Sequence, residues 1–202
     1  IDSLMLDMPN IPDDSVPEGK DESENVVIKE YGKIISTNEL DHLEIATDID
    51  TDLASKLAGS RFSVLKGDMA KLQRSLISFM LDNAIKNGYQ EYYVPFMANS
   101  ESLTGTGQLP KFEEDLFKTS EKLYLIPPAE VPQTNIFRDE FVSEKELPIK
   151  VTSHTPCFRS EAGSYGKDTK GLIRQHQFEK IELVQITHPD NSMKCLDTVS
   201  YT

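Results

Sequence analysis

The chain has 202 residues and a mass of 22.8 kDa, enough for one domain with a sizeable core or for most of a larger one. It contains no apolar run long enough to cross a bilayer and no basic-then-apolar leader at Ile1, so we expect no membrane partner. Its 34 acidic residues outnumber 21 Lys and Arg, giving a net charge of −13. That balance argues against extensive binding of nucleic-acid phosphates by this segment, since such binding relies on basic side chains.

Cysteine usage points to a reducing, cytoplasmic setting. The two cysteines, Cys157 and Cys195, are too few for a disulfide framework or a four-thiolate zinc site. The first residue is isoleucine and not methionine, so we expect a piece of a longer chain.

The first third of the chain begins with a linker-like composition. Prolines and acidic residues alternate over residues 1–25, which predicts a linker, and residues 26–28 favour a short strand. Residues 36–59 are expected to be helical in pieces, with Leu53, Leu57 and Ala58 on one face and Gly59 ending the last piece.

The strongest helical pattern covers residues 68–87, and Gly88 supplies a left-handed end. Residues 91–96 are aromatic and β-branched and predict a strand, with Pro95 at an edge or strand end. The apolar stripe of the helix consists of Met69, Leu72, Leu76, Met80 and Ala84.

The middle of the chain offers weaker signals. Residues 103–107, Leu-Thr-Gly-Thr-Gly, predict a flexible loop. They are too short and wrongly spaced for a phosphate-binding P-loop, which needs a following Gly-Lys-Ser/Thr. Residues 123–126 predict a strand, the prolines at 127–128 break it, and residues 129–138 open a helix.

Residues 150–186 are the most informative region. Two alternating segments, 150–159 and 174–186, flank a polar, glycine-rich stretch at 161–172, which predicts an antiparallel hairpin. With a period of two, one face of the second strand carries Arg174, His176, Phe178, Lys180 and Glu182, and Arg159 and Glu161 share a side of the first.

That polar face suits an anionic, planar ligand, because arginine forks bind phosphate and an aromatic ring stacks on a purine. The pattern fits a solvated face with ion pairs equally well, and both interpretations stay open at this point.

Longer motifs carry a resemblance to a known family. The hairpin resembles motif 2 of class II aminoacyl-tRNA synthetases, and more narrowly that of the seryl-tRNA synthetases. Residues 60–96 resemble motif 1, which builds the homodimer interface in that class. The segments that carry the likeness read TPCFRSEAGS at 155–164, DT at 168–169, GLIRQHQF at 171–178, NIPDDSVP at 10–17, GTGQLPKF at 105–112 and SRF at 60–62.

The resemblance implies an α+β fold: an antiparallel sheet flanked by helices, the class II core truncated at its C-terminal side. Residues 1–25 would be the linker after an N-terminal tRNA-binding helical arm that this chain lacks. Residues 26–202 would be a partial catalytic domain, with motif 1 at about 67–96, motif 2 at about 150–186 and motif 3 absent.

The family's function is ATP-dependent activation of L-serine to seryl adenylate and its transfer to tRNA(Ser), and also to tRNA(Sec). By resemblance, Arg159 and Arg174 would be catalytic and would hold the phosphates, Glu161 would accept from the adenine amino group, and Phe178 would stack on adenine. The other ATP-binding residues implied by the motif are Ser160, Gln175, His176 and Gln177.

Serine would be held by Arg159, by Glu182 through its hydroxyl, and by a segment that reads Thr-Ala-Glu in the family. Here that segment is Pro128, Ala129 and Glu130, and Pro128 offers neither a hydroxyl nor an amide hydrogen. Glu182 gives a specificity rationale, because a site built to pair with a hydroxyl rejects the analogue that lacks it.

The resemblance also implies ATP and Mg²⁺ as cofactors, with the Mg²⁺ ligands beyond Thr202, no zinc, and a fragment that is inactive alone. His154 and His176 are expected to be structural and not metal ligands. Two alternatives remain: a dimerising, non-catalytic interaction fragment, or a paralogue that charges a carrier protein.

Overall fold

A computed structural model of the chain describes residues 2–32, 40–161 and 171–200. Most of the glycine-rich stretch at 161–172 and the start of the expected helical region at 36–59 lie outside these ranges. Short 3-10 turns connect the main elements. The described α-helices are α1 (Asp2–Asp7), α2 (His42–Ile45), α3 (Thr51–Ala58), α4 (Gly67–Lys86), α5 (Ser100–Gly105), α6 (Glu130–Thr134) and α7 (Ser192–Ser200).

The described strands form one three-stranded sheet and two small antiparallel pairs. In the larger sheet the strand order is β3-β6-β7, with β3 parallel to β6 and β6 antiparallel to β7. The small pairs are β1 with β2 and β4 with β5. The strands are β1 (Ile49–Asp50), β2 (Val64–Leu65), β3 (Gln90–Glu91), β4 (Met97–Ala98), β5 (Tyr124–Leu125), β6 (Ile149–Phe158) and β7 (Gln177–Ile186).

The β6–β7 hairpin was predicted from the alternation and is confirmed to within a few residues. The two strands pair along their full length, from Ile149 opposite Ile186 to Phe158 opposite Gln177. Helix α4 packs against both strands, and helix α6 contacts them as well. The fold is therefore the expected α+β arrangement, and among the described strands only the two-residue β3 joins the sheet in parallel.

The apolar core lies beside the hairpin and supports the elements that lead into it. A cluster of buried side chains joins β4, β5, α5 and α6, with Phe96 packed against it. Strand β6 is itself buried, down to polar residues such as Thr152 and Ser153. The cluster consists of Ala98, Leu103, Leu109, Leu116, Tyr124, Ile126 and Val131.

Helix α4 matches the predicted helix, and Gly88 follows it with a φ of +84° as expected. Its apolar stripe is only partly buried. Ala84 lies in the core, but Leu72, Leu76 and Met80 are 42–48% exposed and Phe79 is 67% exposed.

Several local predictions were wrong. Residues 26–28 form no strand and are exposed, because no described strand lies beside them to pair with. The strand expected at 91–96 stops at Glu91, after which only the amide of Tyr92 still bonds to β6. The start of the loop expected at 103–107 belongs to α5, which Asn99 caps at its N-terminus.

The N-terminal region is helical in pieces after residue 40, as expected, and α3 ends at Gly59. The predicted common face fails there, because Leu57 is exposed and Ala54 is the buried residue. The linker interpretation of residues 1–25 stays a prediction, although α1 lies within it and residues 8–32 are exposed throughout. Among the described residues, no helix has both the length and the apolar character that a membrane crossing requires.

Candidate active site

The register of the hairpin decides which side chains meet. Phe178 lies opposite Cys157, Lys180 opposite Thr155, and Glu182 opposite Ser153. Directly opposed residues project from the same face of an antiparallel pair, so buried side chains of β6 lie beside the polar residues of β7. Burial raises the pKa of the Cys157 thiol, which therefore stays protonated beneath the site.

Arg159 and Phe178 form the first pair on this face. The guanidinium carbon of Arg159 lies 5.3 Å from the centroid of the Phe178 ring, within the range of a cation–π contact. Nε of Arg159 donates to the carbonyl of Pro127 at 3.2 Å, which ties the arginine to the end of the segment after β5. The predicted arginine and aromatic ring are thus adjacent.

Glu161 and Arg174 form the second pair, at the open ends of the hairpin. Nη1 of Arg174 lies 3.1 Å from Oε2 of Glu161, and the glutamate side chain is only 14% exposed. Together with Arg159 and Phe178, these two residues line a cleft of about 350 Å³. A neighbouring cleft adds Pro128 to the same two arginines and Glu161.

A carboxylate–lysine cluster occupies the middle of the same face. Nζ of Lys180 donates to both oxygens of Glu130 at 2.8 Å and lies 2.7 Å from Oε2 of Glu182. That Glu182 oxygen is buried and has no aligned hydrogen-bond donor, so its contact with Lys180 is an ion pair and not a well-directed hydrogen bond. Strand β7 supplies two of these groups and α6 the third.

The ionisation of this cluster follows from burial and from its charges. Burial raises the pKa of Glu182, and the neighbouring negative charge of Glu130 raises it further. Burial also acts to raise the pKa of Glu130, but the hydrogen bonds and positive charge of Lys180, a backbone hydrogen bond and a hydrogen bond with Glu182 together outweigh that effect and lower it. Burial acts to lower the pKa of Lys180, and its bonds to the two carboxylates reverse the direction and raise it.

The segment predicted to hold serine lies beside this cluster. Pro128 lines the cleft that contains Arg159, and Ala129 is fully buried directly before Glu130. Pro128 contributes its carbonyl, which accepts a long hydrogen bond of 3.4 Å from the amide of Val131.

Three of the predicted ATP-binding residues use their side chains to hold the backbone. Oγ of Ser160 donates to the carbonyl of Glu114 at 2.6 Å. Gln175 donates to the carbonyl of Gly171 at 3.0 Å and accepts from Ser63 at 2.7 Å. His176 contacts the carbonyl of Arg159 through Nδ1 and packs against two phenylalanines, whereas Gln177 is exposed.

Residues from the N-terminal half contact the chain on both sides of the hairpin opening, where it leaves β6 and where it returns to β7. The sequence pattern did not reveal these residues. Nη1 of Arg61 donates to the carbonyl of Glu161 at 3.0 Å, and the carbonyl of Arg61 accepts from the amide of His176 at 2.8 Å. Nε2 of His42 accepts from the amide of Leu172 at 3.0 Å. These contacts span about a hundred residues of sequence, beyond the reach of local periodicity.

Lys180 was also missed as a site residue. Alternation indicated its face, but nothing in the sequence indicated that Glu130 on α6 would approach it.

His154 contacts Glu179 at 2.6 Å, consistent with a structural role. The described part of the chain holds no group of three or more His, Cys, Asp or Glu side chains placed to share a metal ion.

Comparison with known proteins agrees with this geometry. Residues 111–200 match the family model of the tRNA synthetase class II core domain (G, H, P, S and T). The chain is 56% identical to a serine–tRNA ligase of Hydrogenovibrio crunogenus, covering 99% of this chain and 50% of that protein. It is 58% identical to the serine–tRNA ligase of Nautilia profundicola, covering 97% of this chain and 49% of the relative.

Solved structures give the same result. Seryl-tRNA synthetase from Pyrococcus horikoshii complexed with ATP superimposes with a TM-score of 0.90 and 34% identity, covering 98% of this chain and 50% of that one. Cytoplasmic serine–tRNA ligase from Naegleria fowleri in complex with AMP gives a TM-score of 0.89 and 30% identity over 98% of this chain and 49% of that one.

The fold and the motif 2 hairpin thus define a class II aminoacyl-tRNA synthetase core. The chain spans about half the length of the curated relatives it matches. Within that class it belongs to the seryl-tRNA synthetase family.

Proposed function

We propose that the protein carrying this chain activates L-serine with ATP and transfers it to tRNA(Ser), and to tRNA(Sec) where that tRNA is present. The proposal rests on the arrangement of two groups on one sheet face. Arg159 and Phe178, an arginine and an aromatic ring suited to binding a nucleotide, lie beside a carboxylate pocket formed by Glu130 and Glu182. Relatives named serine–tRNA ligase and an ATP complex of a structural neighbour support it.

The chemistry proceeds by positioning and charge stabilisation. A carboxylate oxygen of serine attacks the α-phosphorus of ATP, a new P–O bond forms, and pyrophosphate leaves. Arg159 carries a permanent positive charge at the cleft and would stabilise the negative charge that develops on the phosphoryl oxygens. A tRNA hydroxyl then attacks the seryl carbonyl, and AMP leaves.

Several side chains would change partner when substrates bind. Arg174 and Glu161 pair with each other at 3.1 Å, and their proposed roles at phosphate and at the adenine amino group require that pair to open. A purine stacked between Phe178 and Arg159 would need a spacing on the order of 7 Å between the phenylalanine ring and the guanidinium group. The observed distance between them is 5.3 Å, so adenine must displace Arg159 or stack on a part of the Phe178 ring that Arg159 does not cover.

The pocket chemistry favours serine over alanine. Glu182 is only 16% exposed, so an amino acid without a hydroxyl would leave this largely buried carboxylate one hydrogen bond short, with the ion pair to Lys180 as its remaining contact. Glu130 would receive the serine ammonium.

ATP is the nucleotide substrate in this proposal. When bound, Mg²⁺ would neutralise phosphate charge, and no step here is assigned to it.

We propose a homodimer for the complete protein, because the apolar face of α4 is exposed in the single chain. Leu72, Leu76, Phe79 and Met80 recur at helical spacing and are 42–67% exposed. A cytoplasmic location is proposed as well, supported by two cysteines that are both free thiols.

Serine-dependent exchange of pyrophosphate into ATP tests the proposal. The assay is run on this chain and on the full-length protein, with alanine and threonine as comparators. Exchange with serine alone supports the proposal, and a well-folded dimer without exchange in either form would contradict it. Phe178→Ala should weaken ATP binding roughly tenfold or more by loss of base stacking. A Tyr93→Ala variant removes an exposed ring elsewhere and serves as control.

A further inference from the structure

Lys180 is the least expected member of the site, because it brings a positive charge into the pocket where an amino acid's ammonium group would bind. Its Nζ contacts three carboxylate oxygens within 2.8 Å, two from Glu130 and one from Glu182. The lysine side chain is 29% exposed. It is therefore largely committed to these two carboxylates.

The two carboxylates come from different elements and contact one shared cation. Glu130 opens α6 and Glu182 lies on β7, two positions after Lys180 on the same face. Like charges brought together at a partly buried site repel each other, and a lysine between them offsets that repulsion. When both carboxylates are ionised and the lysine is included, the cluster carries one net negative charge, the complement of one substrate ammonium.

The lysine also determines whether Glu182 can act as an acceptor. The titratable groups that act on Glu182 are Glu130 from α6 and Lys180 from its own strand, and the opposed residue on β6 is Ser153, which does not titrate. Burial and Glu130 favour the neutral acid, and Lys180 opposes both. Removing Lys180 leaves only influences that protonate Glu182.

We propose that Lys180 is a specificity-determining positioning residue: it bridges Glu130 and Glu182 and keeps Glu182 ionised as the acceptor for the serine hydroxyl. The inference rests on the proposed function, since it assigns Lys180 a role in the same amino-acid pocket. It differs from a purely structural ion pair because it predicts effects on serine and on pH that leave ATP binding unchanged.

The test compares Lys180→Met and Lys180→Arg with the unmodified full-length protein by serine-dependent ATP–pyrophosphate exchange. For Lys180→Met, KM for serine should rise roughly 10- to 100-fold, the range expected for a lost charged hydrogen bond, while KM for ATP stays constant. Lys180→Arg keeps the charge and should recover most of the affinity for serine.

The pH profile supplies the readout that a structural role would not move. Activity requires ionised Glu182, so it is lost as pH falls through the pKa of that group. Lys180 acts to lower this pKa, so Lys180→Met should move the acid limb of kcat/KM to higher pH, and Lys180→Arg should return it toward its original position.

Lys66→Met is the matched control, because it removes a lysine paired with Asp50 at 2.8 Å on the exposed surface. Thermal unfolding of each variant checks the fold. An unshifted acid limb with unchanged KM for serine in Lys180→Met overturns the inference, as does an equal loss of serine and ATP affinity. Absence of serine-dependent exchange in the unmodified protein would instead reject the proposed function itself.

Discussion

Gly171 stands where the chain re-enters the hairpin, with a φ of +65°, and it lies against the imidazole of His42. A methyl group on Gly171 would clash with Nε2 of His42, the atom that accepts from the amide of Leu172. Gly171→Ala therefore combines a left-handed backbone penalty with displacement of the ring and loss of that hydrogen bond.

The two contributions can be separated. Placing alanine in the left-handed region costs about 1–2 kcal/mol, and losing a hydrogen bond adds about 0.5–1.5 kcal/mol. Gly88→Ala supplies the control, because Gly88 has a φ of +84° and an added methyl group there meets no atom within 4 Å. We expect Gly171→Ala to destabilise the protein by about 1 kcal/mol more than Gly88→Ala.

Urea unfolding measures this difference, and the exchange assay measures its effect on the site. The carbonyl of Gly171 accepts from Gln175, next to Arg174, so a shifted Gly171 should also raise KM for ATP. In a His42→Ala background the ring is gone, and Gly171→Ala should then cost only the backbone term. Equal costs for the two glycine variants, or a cost that His42→Ala leaves unchanged, would refute this reasoning.

Two further perturbations test the pocket and the helix. Pro128→Thr should lower KM for serine about 2- to 10-fold, because the added hydroxyl gains a hydrogen bond to serine. Pro128→Val is the control, since valine has the shape of threonine without the hydroxyl, and it should leave KM unchanged. Equal KM values for the two variants would count against a role of the hydroxyl in binding serine. The double variant Leu76→Lys, Phe79→Lys should convert the proposed dimer to monomers, as measured by light scattering. Ser78→Lys, on the far side of α4, is the control and should leave the dimer intact. A dimer that persists in the double variant would show that α4 is not part of the interface.

The elements that the sequence predicted well are those with a long, uninterrupted period. Helix α4 and the β6–β7 hairpin each extend over ten or more residues, so a few exceptions do not hide the repeat. The hairpin's alternation also placed Phe178, Lys180 and Glu182 on one face, as their partners on β6 confirm.

The failures are local or long-range in origin. The region after Leu103 was read as a loop because of its glycines, whereas capping by Asn99 starts a helix that includes Gly105. The bridge from Lys180 to Glu130 spans 50 residues of sequence, and the contact from Arg61 to Glu161 spans 100. Such contacts depend on how whole elements pack, which periodicity does not encode.

Arg61 adopts a φ of +62° and holds both rims of the hairpin opening, one with its guanidinium and the other with its carbonyl. Arg61, which lies outside the segment between Glu161 and His176, therefore holds the two ends of that segment together. The entropic cost of lengthening a closed loop grows only slowly with its length. Arg159 and Arg174 each lie two residues from a rim that Arg61 holds, so a change in the length of chain between the rims need not change their spacing.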